Sequence, residues 1–112
     1  MTTKPAHSER RSSLSPSRTE SLRALREIPG VGPSIAADLV ELGIRRVTDL
    51  RGKDPERMYL RFCAKRGQPI DRCLLYVFRC AVYYAETPRP SPDLLKWWSW
   101  KDRTLPRRRR KP

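Results

Sequence analysis

The groups best placed to do chemistry in this sequence are main-chain amides, in the stretch Ile28-Pro29-Gly30-Val31-Gly32-Pro33-Ser34-Ile35-Ala36-Ala37. Two glycines one residue apart can adopt backbone angles closed to other residues, and they carry no side chain to obstruct a ligand. Pro33 suits the first turn of a helix, where its missing N–H costs nothing. The stretch therefore predicts a helix end, a tight glycine turn and a new helix start. Such a start points unpaired N–H groups outward, and its dipole favours an anion. The chain carries a formal charge of +13 over 112 residues, so the expected anion is a nucleic-acid phosphate.

Side chains offer less. Arg57, Arg61 and Lys65 recur every four residues on a predicted helix, a stripe that either follows a phosphate backbone or is simply a solvated face. Cys73 and Cys80 share a helix face, and Cys63 can come near either. Three thiolates would still need a fourth ligand to hold zinc, and the sole histidine, His7, stands far from them in sequence. Buried, inert thiols are the expectation, with no metal site and no cofactor. The acids are scattered as predicted caps (Asp54, Asp71) or helix-surface residues (Glu27, Asp38, Glu41). They form no carboxylate cluster of the kind that metal-assisted hydrolysis needs. No catalytic residue and no enzymatic activity are expected. Trp97, Trp98 and Trp100 read either as a lid over a small core or as base-stacking platforms, the lid being preferred.

The elements that would position these groups follow from apolar spacing. Helices are expected at about 19–27 (Leu22, Leu25, with Ile28 continuing the line), 33–42 (Ile35, Leu39, Leu42, with Ala36 allowing close approach), 54–66 (Met58, Phe62, Cys63), 72–86 and 94–100, with a helical turn at 47–50. Asp54-Pro55-Glu56 is a strong helix start. Between 73 and 85 only Arg79 is charged, so that helix should be the central one. The helix–Gly67 turn–helix order loosely repeats the first turn. A pseudo-duplicated tandem is one reading of it, and would place Arg66, Gly67 and Gln68 near a second DNA strand. Residues 1–18 and 101–112 are Ser/Pro/Arg-rich and Arg-rich and carry much of the excess charge. They are expected to be disordered basic tails flanking a folded domain at 19–100. Nothing in residues 1–20 has the apolar run of a signal peptide, no stretch is long enough to span a bilayer, and the three cysteines suit a reducing compartment. A cytoplasmic protein without membrane contact is the expectation.

The motif Leu25-x-x-Ile28-Pro29-Gly30-Val31-Gly32-x-x-x-Ala36-x-x-Leu39-Val40 resembles the helix-hairpin-helix of DNA-repair proteins, beta-type DNA polymerases and ligases. Gly30-Val31-Gly32-Pro33-Ser34, Ala36-Ala37 and Leu42-Gly43-Ile44 are close to the pattern of X-family polymerases. The resemblance implies that the amides of Gly32, Ser34 and Ile35 grip a phosphate without reading bases, with Gly30 shaping a loop that also contains Val31. It further implies that the carbonyls of Arg26, Ile28 and Val31 could hold a monovalent cation. Ser34 stands where many members place Lys or Arg, which removes one ionic contact. A wider resemblance covers about residues 22–102, through the hairpin, Asp54-Pro55-Glu56, Asp71-Arg72-Cys73, Tyr76-Val77-Phe78-Arg79-Cys80-Ala81-Val82-Tyr83 and Leu95-Lys96-Trp97-Trp98. This order is similar to the bacterial pathogenicity-locus helix-hairpin-helix family, some of whose members are labelled mitomycin-resistance proteins. It implies a small DNA-binding-type module. With the helices above, the expectation is an all-α domain of about five helices that binds DNA without sequence preference, as an accessory to DNA repair or damage resistance. A protein-interaction adaptor using the hairpin and the Trp-rich surface is the alternative.

Overall fold

Four stretches whose apolar residues recur at helical spacing fold as α-helices: α1 (Arg18–Leu25), α2 (Pro33–Glu41), α3 (Pro55–Arg66) and α4 (Cys73–Glu86). Three short 3-10 turns accompany them, at Val47–Leu50, Pro92–Leu95 and Trp97–Trp100. The structure, a computed structural model, describes residues 16–105, and no strand occurs among them. His7, residues 1–15 of the expected N-terminal tail and residues 106–112 of the expected C-terminal tail lie outside the described residues. The fold is all-α, as expected, with four helices among the described residues rather than about five.

The difference lies at 94–100, where the sequence predicts a helix and two 3-10 turns form instead. Side chains take the carbonyls that a helix would use. Ser99 Oγ donates to the Asp93 carbonyl, and Trp100 Nε1 donates to that of Leu94, each at 2.8 Å. Such local bonds offer the backbone an alternative to the helical ladder. A second small difference concerns α1. Its cap is Ser17 rather than a residue near Thr19: Ser17 Oγ accepts from the Glu20 amide at 3.1 Å, while Glu20 Oε1 accepts from the Ser17 amide at 2.9 Å. This reciprocal box satisfies two of the amides a helix start leaves unpaired.

α4 is the centre of the packing. Apart from Arg79 its buried face is apolar, running from Leu74 and Leu75 through Phe78 and Val82 to Ala85. It packs against α3 and against all three 3-10 turns, while α1 packs on α2. Leu25, Leu39 and Phe78 are fully buried, each worth about 1.5–3 kcal/mol of transfer free energy. Polar ties fasten the edges. Arg51 Nε donates to the Ala85 carbonyl at 3.0 Å, and the Gly52 amide to Glu86 Oε2 at 2.6 Å, which joins the loop after the first 3-10 turn to the end of α4. Tyr84 Oη donates to Glu27 Oε2 at 3.0 Å, tying α4 to the residues after α1. The Tyr59 hydroxyl donates to the Ile70 carbonyl.

Arg79 lies on α4 with only 7% of its surface exposed. Its Nε donates to Glu56 Oε2 on α3, and its Nη1 donates to the Trp100 carbonyl, both at 2.8 Å. One guanidinium thus joins three segments. Replacing it with Met should cost about 2–3 kcal/mol in urea unfolding, the usual scale for hydrogen bonds to a charged group. It should also shift tryptophan emission as the Trp100 segment loosens. Wild-type stability with unchanged emission would show that the contact holds nothing.

The three thiols differ in exposure: Cys80 is buried, Cys63 half-buried and Cys73 exposed. Burial pushes the Cys80 thiol up to about 11. Cys73 is also raised, chiefly by its hydrogen bond to the Asp71 carboxylate, so neither carries the lowered pKa of a reactive thiol. A thiol-specific reagent at pH 8 should modify Cys73 first and leave Cys80 unmodified until denaturant is added; rapid native labelling of Cys80, read by peptide mass, would contradict this.

Candidate functional site

A helix start leaves its first amides without partners, so each start in this fold can be asked what fills it. Ser17 caps α1, and Asp54 Oδ1 caps α3 by accepting from the Glu56 and Arg57 amides at 3.0 and 3.4 Å. At α4, Asp71 Oδ1 accepts from the Cys73 amide at 2.8 Å. These bonds hold the Asp71 carboxyl below its usual range. The start of α2 is different. Gly32 occupies its cap position, and no side chain accepts from its first amides; the α4 cap residue, Arg72, makes no side-chain cap bond either, but there Asp71 takes the first amide.

The turn that delivers Gly32 is built by Gly30 at φ +86°, a left-handed conformation that glycine reaches without strain. The Val31 amide donates to the Ile28 carbonyl at 3.0 Å, closing the turn, and the Ala36 amide to the Gly32 carbonyl at 2.9 Å, opening the helix. Among the described residues nothing accepts from the amides of Gly32, Ser34 or Ile35. Gly30, Pro33 and Ser34 are exposed, whereas Val31 is buried at 6% and Ile35 is half-buried. The predicted residues therefore split by role: Val31 and Ile35 anchor the turn through their side chains, and the amides of Gly32, Ser34 and Ile35 are left without an acceptor among the described residues. Of the carbonyls expected to hold a cation, that of Ile28 already accepts the Val31 bond.

One neighbour of the turn was assigned elsewhere by sequence. A β-carbon added at Gly30 would meet Trp97 Cδ1 at 3.5 Å, so the indole rests against the glycine. Trp97 stands edge-to-face with Trp98 at 5.6 Å between ring centroids. Trp100 is buried at 2% and serves as the lid, while Trp98 is 58% exposed.

The second predicted turn is not a copy of the first. Gly67, at φ +70°, ends α3 as a left-handed cap, with its amide donating to Ala64 and that of Gln68 to Cys63, each at 3.2 Å. Both amides are thus occupied by the end of α3. Arg66 is engaged as well. Its guanidinium meets Glu41 at 2.9 Å and Asp38 at 3.6 Å on α2, and lies 4.8 Å over the Phe62 ring. Burial raises the Asp38 pKa, against the pull of Arg66.

Arg57, Arg61 and Lys65 are all exposed on α3. Arg61 also opens onto a groove of about 550 Å³ at the far end of α2, which it shares with Arg45, Arg51 and Lys53. Those three were missed by sequence reasoning, although four of the nine residues from Arg45 to Lys53 are basic. α2 has nine residues, so the turn and the groove stand about 14 Å apart along its axis.

Known proteins agree with the wider resemblance. Residues 18–105 match the family model described as Cdd1, pathogenicity locus. Over 76 residues, 68% of this chain and 69% of the relative, the sequence is 36% identical to the mitomycin resistance protein McrB of Streptomyces lavendulae. No solved structure matches the chain. A match across nearly every described residue, joined to a relative at this identity and coverage, places the chain in the pathogenicity locus family.

Proposed function

We propose that the protein is a non-enzymatic DNA-binding module of helix-hairpin-helix type, which grips the phosphate backbone without reading sequence. The observation that carries this reading is the α2 start, with its exposed turn, its missing cap and its unoccupied amides of Gly32, Ser34 and Ile35. Amides and a helix dipole favour an anion but distinguish no base, so contacts of this kind position a duplex rather than specify it. Exposed Arg57, Arg61 and Lys65 add charge on α3. The acids support binding over catalysis because they are in use: Asp54 and Asp71 as caps, Glu56 with Arg79, Glu27 with Tyr84. A relative named for mitomycin resistance supports placing the binding in damage resistance. A cytoplasmic setting suits the free thiols. Among the described residues no helix is long and apolar enough to cross a membrane.

The competing reading, an adaptor that docks a protein partner, draws on Trp98 and on Leu60, 58% and 63% exposed. Capture of a partner that survives nuclease treatment would favour it.

Gly32→Ala is a clean probe of the binding mode. Gly32 has extended backbone angles, and an added β-carbon meets nothing within 4 Å, so the stability cost should stay under about 1 kcal/mol. The methyl group would stand beside the open amides. Binding of the full chain to three unrelated duplexes should be equal across sequences and weaken with salt by about 0.9 in log–log slope per phosphate neutralised. The variant should bind at least tenfold more weakly, since a hydrogen bond to a charged group is worth about 1.5–3 kcal/mol. Equal affinity of variant and wild type would remove the turn from the mechanism.

A further inference from the structure

We infer that the basic groove at the C-terminal end of α2 is a second phosphate site, and that Arg45, Arg51 and Arg61 hold a phosphate group there. Three segments converge on it: the loop after α2 brings Arg45, the residues after the first 3-10 turn bring Arg51 and Lys53, and α3 brings Arg61. One carboxylate, Asp49, lines the same groove, and its Oδ2 already accepts from the Arg45 and Arg46 amides at 3.0 and 3.1 Å. The side chains of Arg45 and Arg61 make no ion pair among the described residues. Arg51 is held by its bond to the Ala85 carbonyl, which fixes the arm and leaves its terminal nitrogens for a ligand.

Like charges gathered in a concavity repel one another, and an anion relieves that cost. The negative end of the α2 dipole can account for one nearby cation but not for three arginines. Arg45, Arg51 and Arg61 set against the one Asp49 carboxylate leave an excess of two positive charges, which matches the charge of about −2 on a phosphate group. A nucleic-acid strand is the source that follows from the binding proposed above, and this part of the inference rests on it. A free polyphosphate would satisfy the same groove without it.

The test uses the full chain with two probes, a 20-base-pair duplex and inorganic pyrophosphate. Arg45→Gln/Arg61→Gln removes two groove charges; Arg57→Gln/Lys65→Gln removes two charges from α3 outside the groove. The groove pair should flatten the duplex salt slope by roughly 1–2 and should abolish the rise in melting temperature produced by pyrophosphate. The α3 pair should keep that rise. If the groove pair matches wild type with both probes, or if both pairs lose the pyrophosphate effect alike, the groove is not a site. Pyrophosphate binding lost only in the groove pair, with no duplex bound by wild type, would uphold the groove and overturn the nucleic-acid reading. Duplex binding weakened by Gly32→Ala but untouched in the groove pair would do the reverse.

Discussion

The fold depends on a charge held where charge is costly. Arg79 sits in the central helix, and its guanidinium is held there by Glu56 on one side and the Trp100 carbonyl on the other. The two partners belong to segments more than forty residues apart in sequence. Without this bond the last 3-10 turn would rest on α4 through apolar contact alone. With it, Trp100 is seated and Trp97, three residues earlier, is brought against Gly30. The turn at the start of α2 is thus braced from outside by a segment that is itself fastened to the core.

A second constraint acts on the helix starts. Helix starts leave amides that need acceptors, and three of the four among the described residues, the exposed starts of α1 and α4 included, find one in a side-chain oxygen. The exception is the one helix whose cap is a glycine. There water can satisfy the amides and a stronger acceptor can replace that water. Openness at a single start is therefore economical: it needs no cavity and no buried charge, only a residue without a side chain at the cap.

Much of this was legible in the sequence. Asp54-Pro55-Glu56 and the Pro33 start carry their chemistry in adjacent residues, and α3 and α2 begin there. The apolar density of 73–85 identified the central helix for the same reason, since a helix uniform in hydropathy has no face to give to water. The capping box Ser17-x-x-Glu20 was equally legible, two residues before the expected helix start at about 19. What could not be read were relations between distant segments. Arg66 is basic and adjacent to a glycine turn, which suggests an outward role until Glu41 and Asp38 appear across from it. Gly67 has the residue type of the first turn, but one glycine at a helix end makes a cap, whereas two in alternation leave the next helix uncapped. The groove cations arrive from three segments, and only folding places them together.

The contact between Gly30 and Trp97 gives the molecule a built-in optical gauge. An indole emits at a wavelength and yield set by its immediate surroundings, and this one leans on the bend whose amides stand open. Any occupant that stiffens or displaces the bend alters the medium around that fluorophore, so occupancy can be followed by light from the native chain, with no label attached.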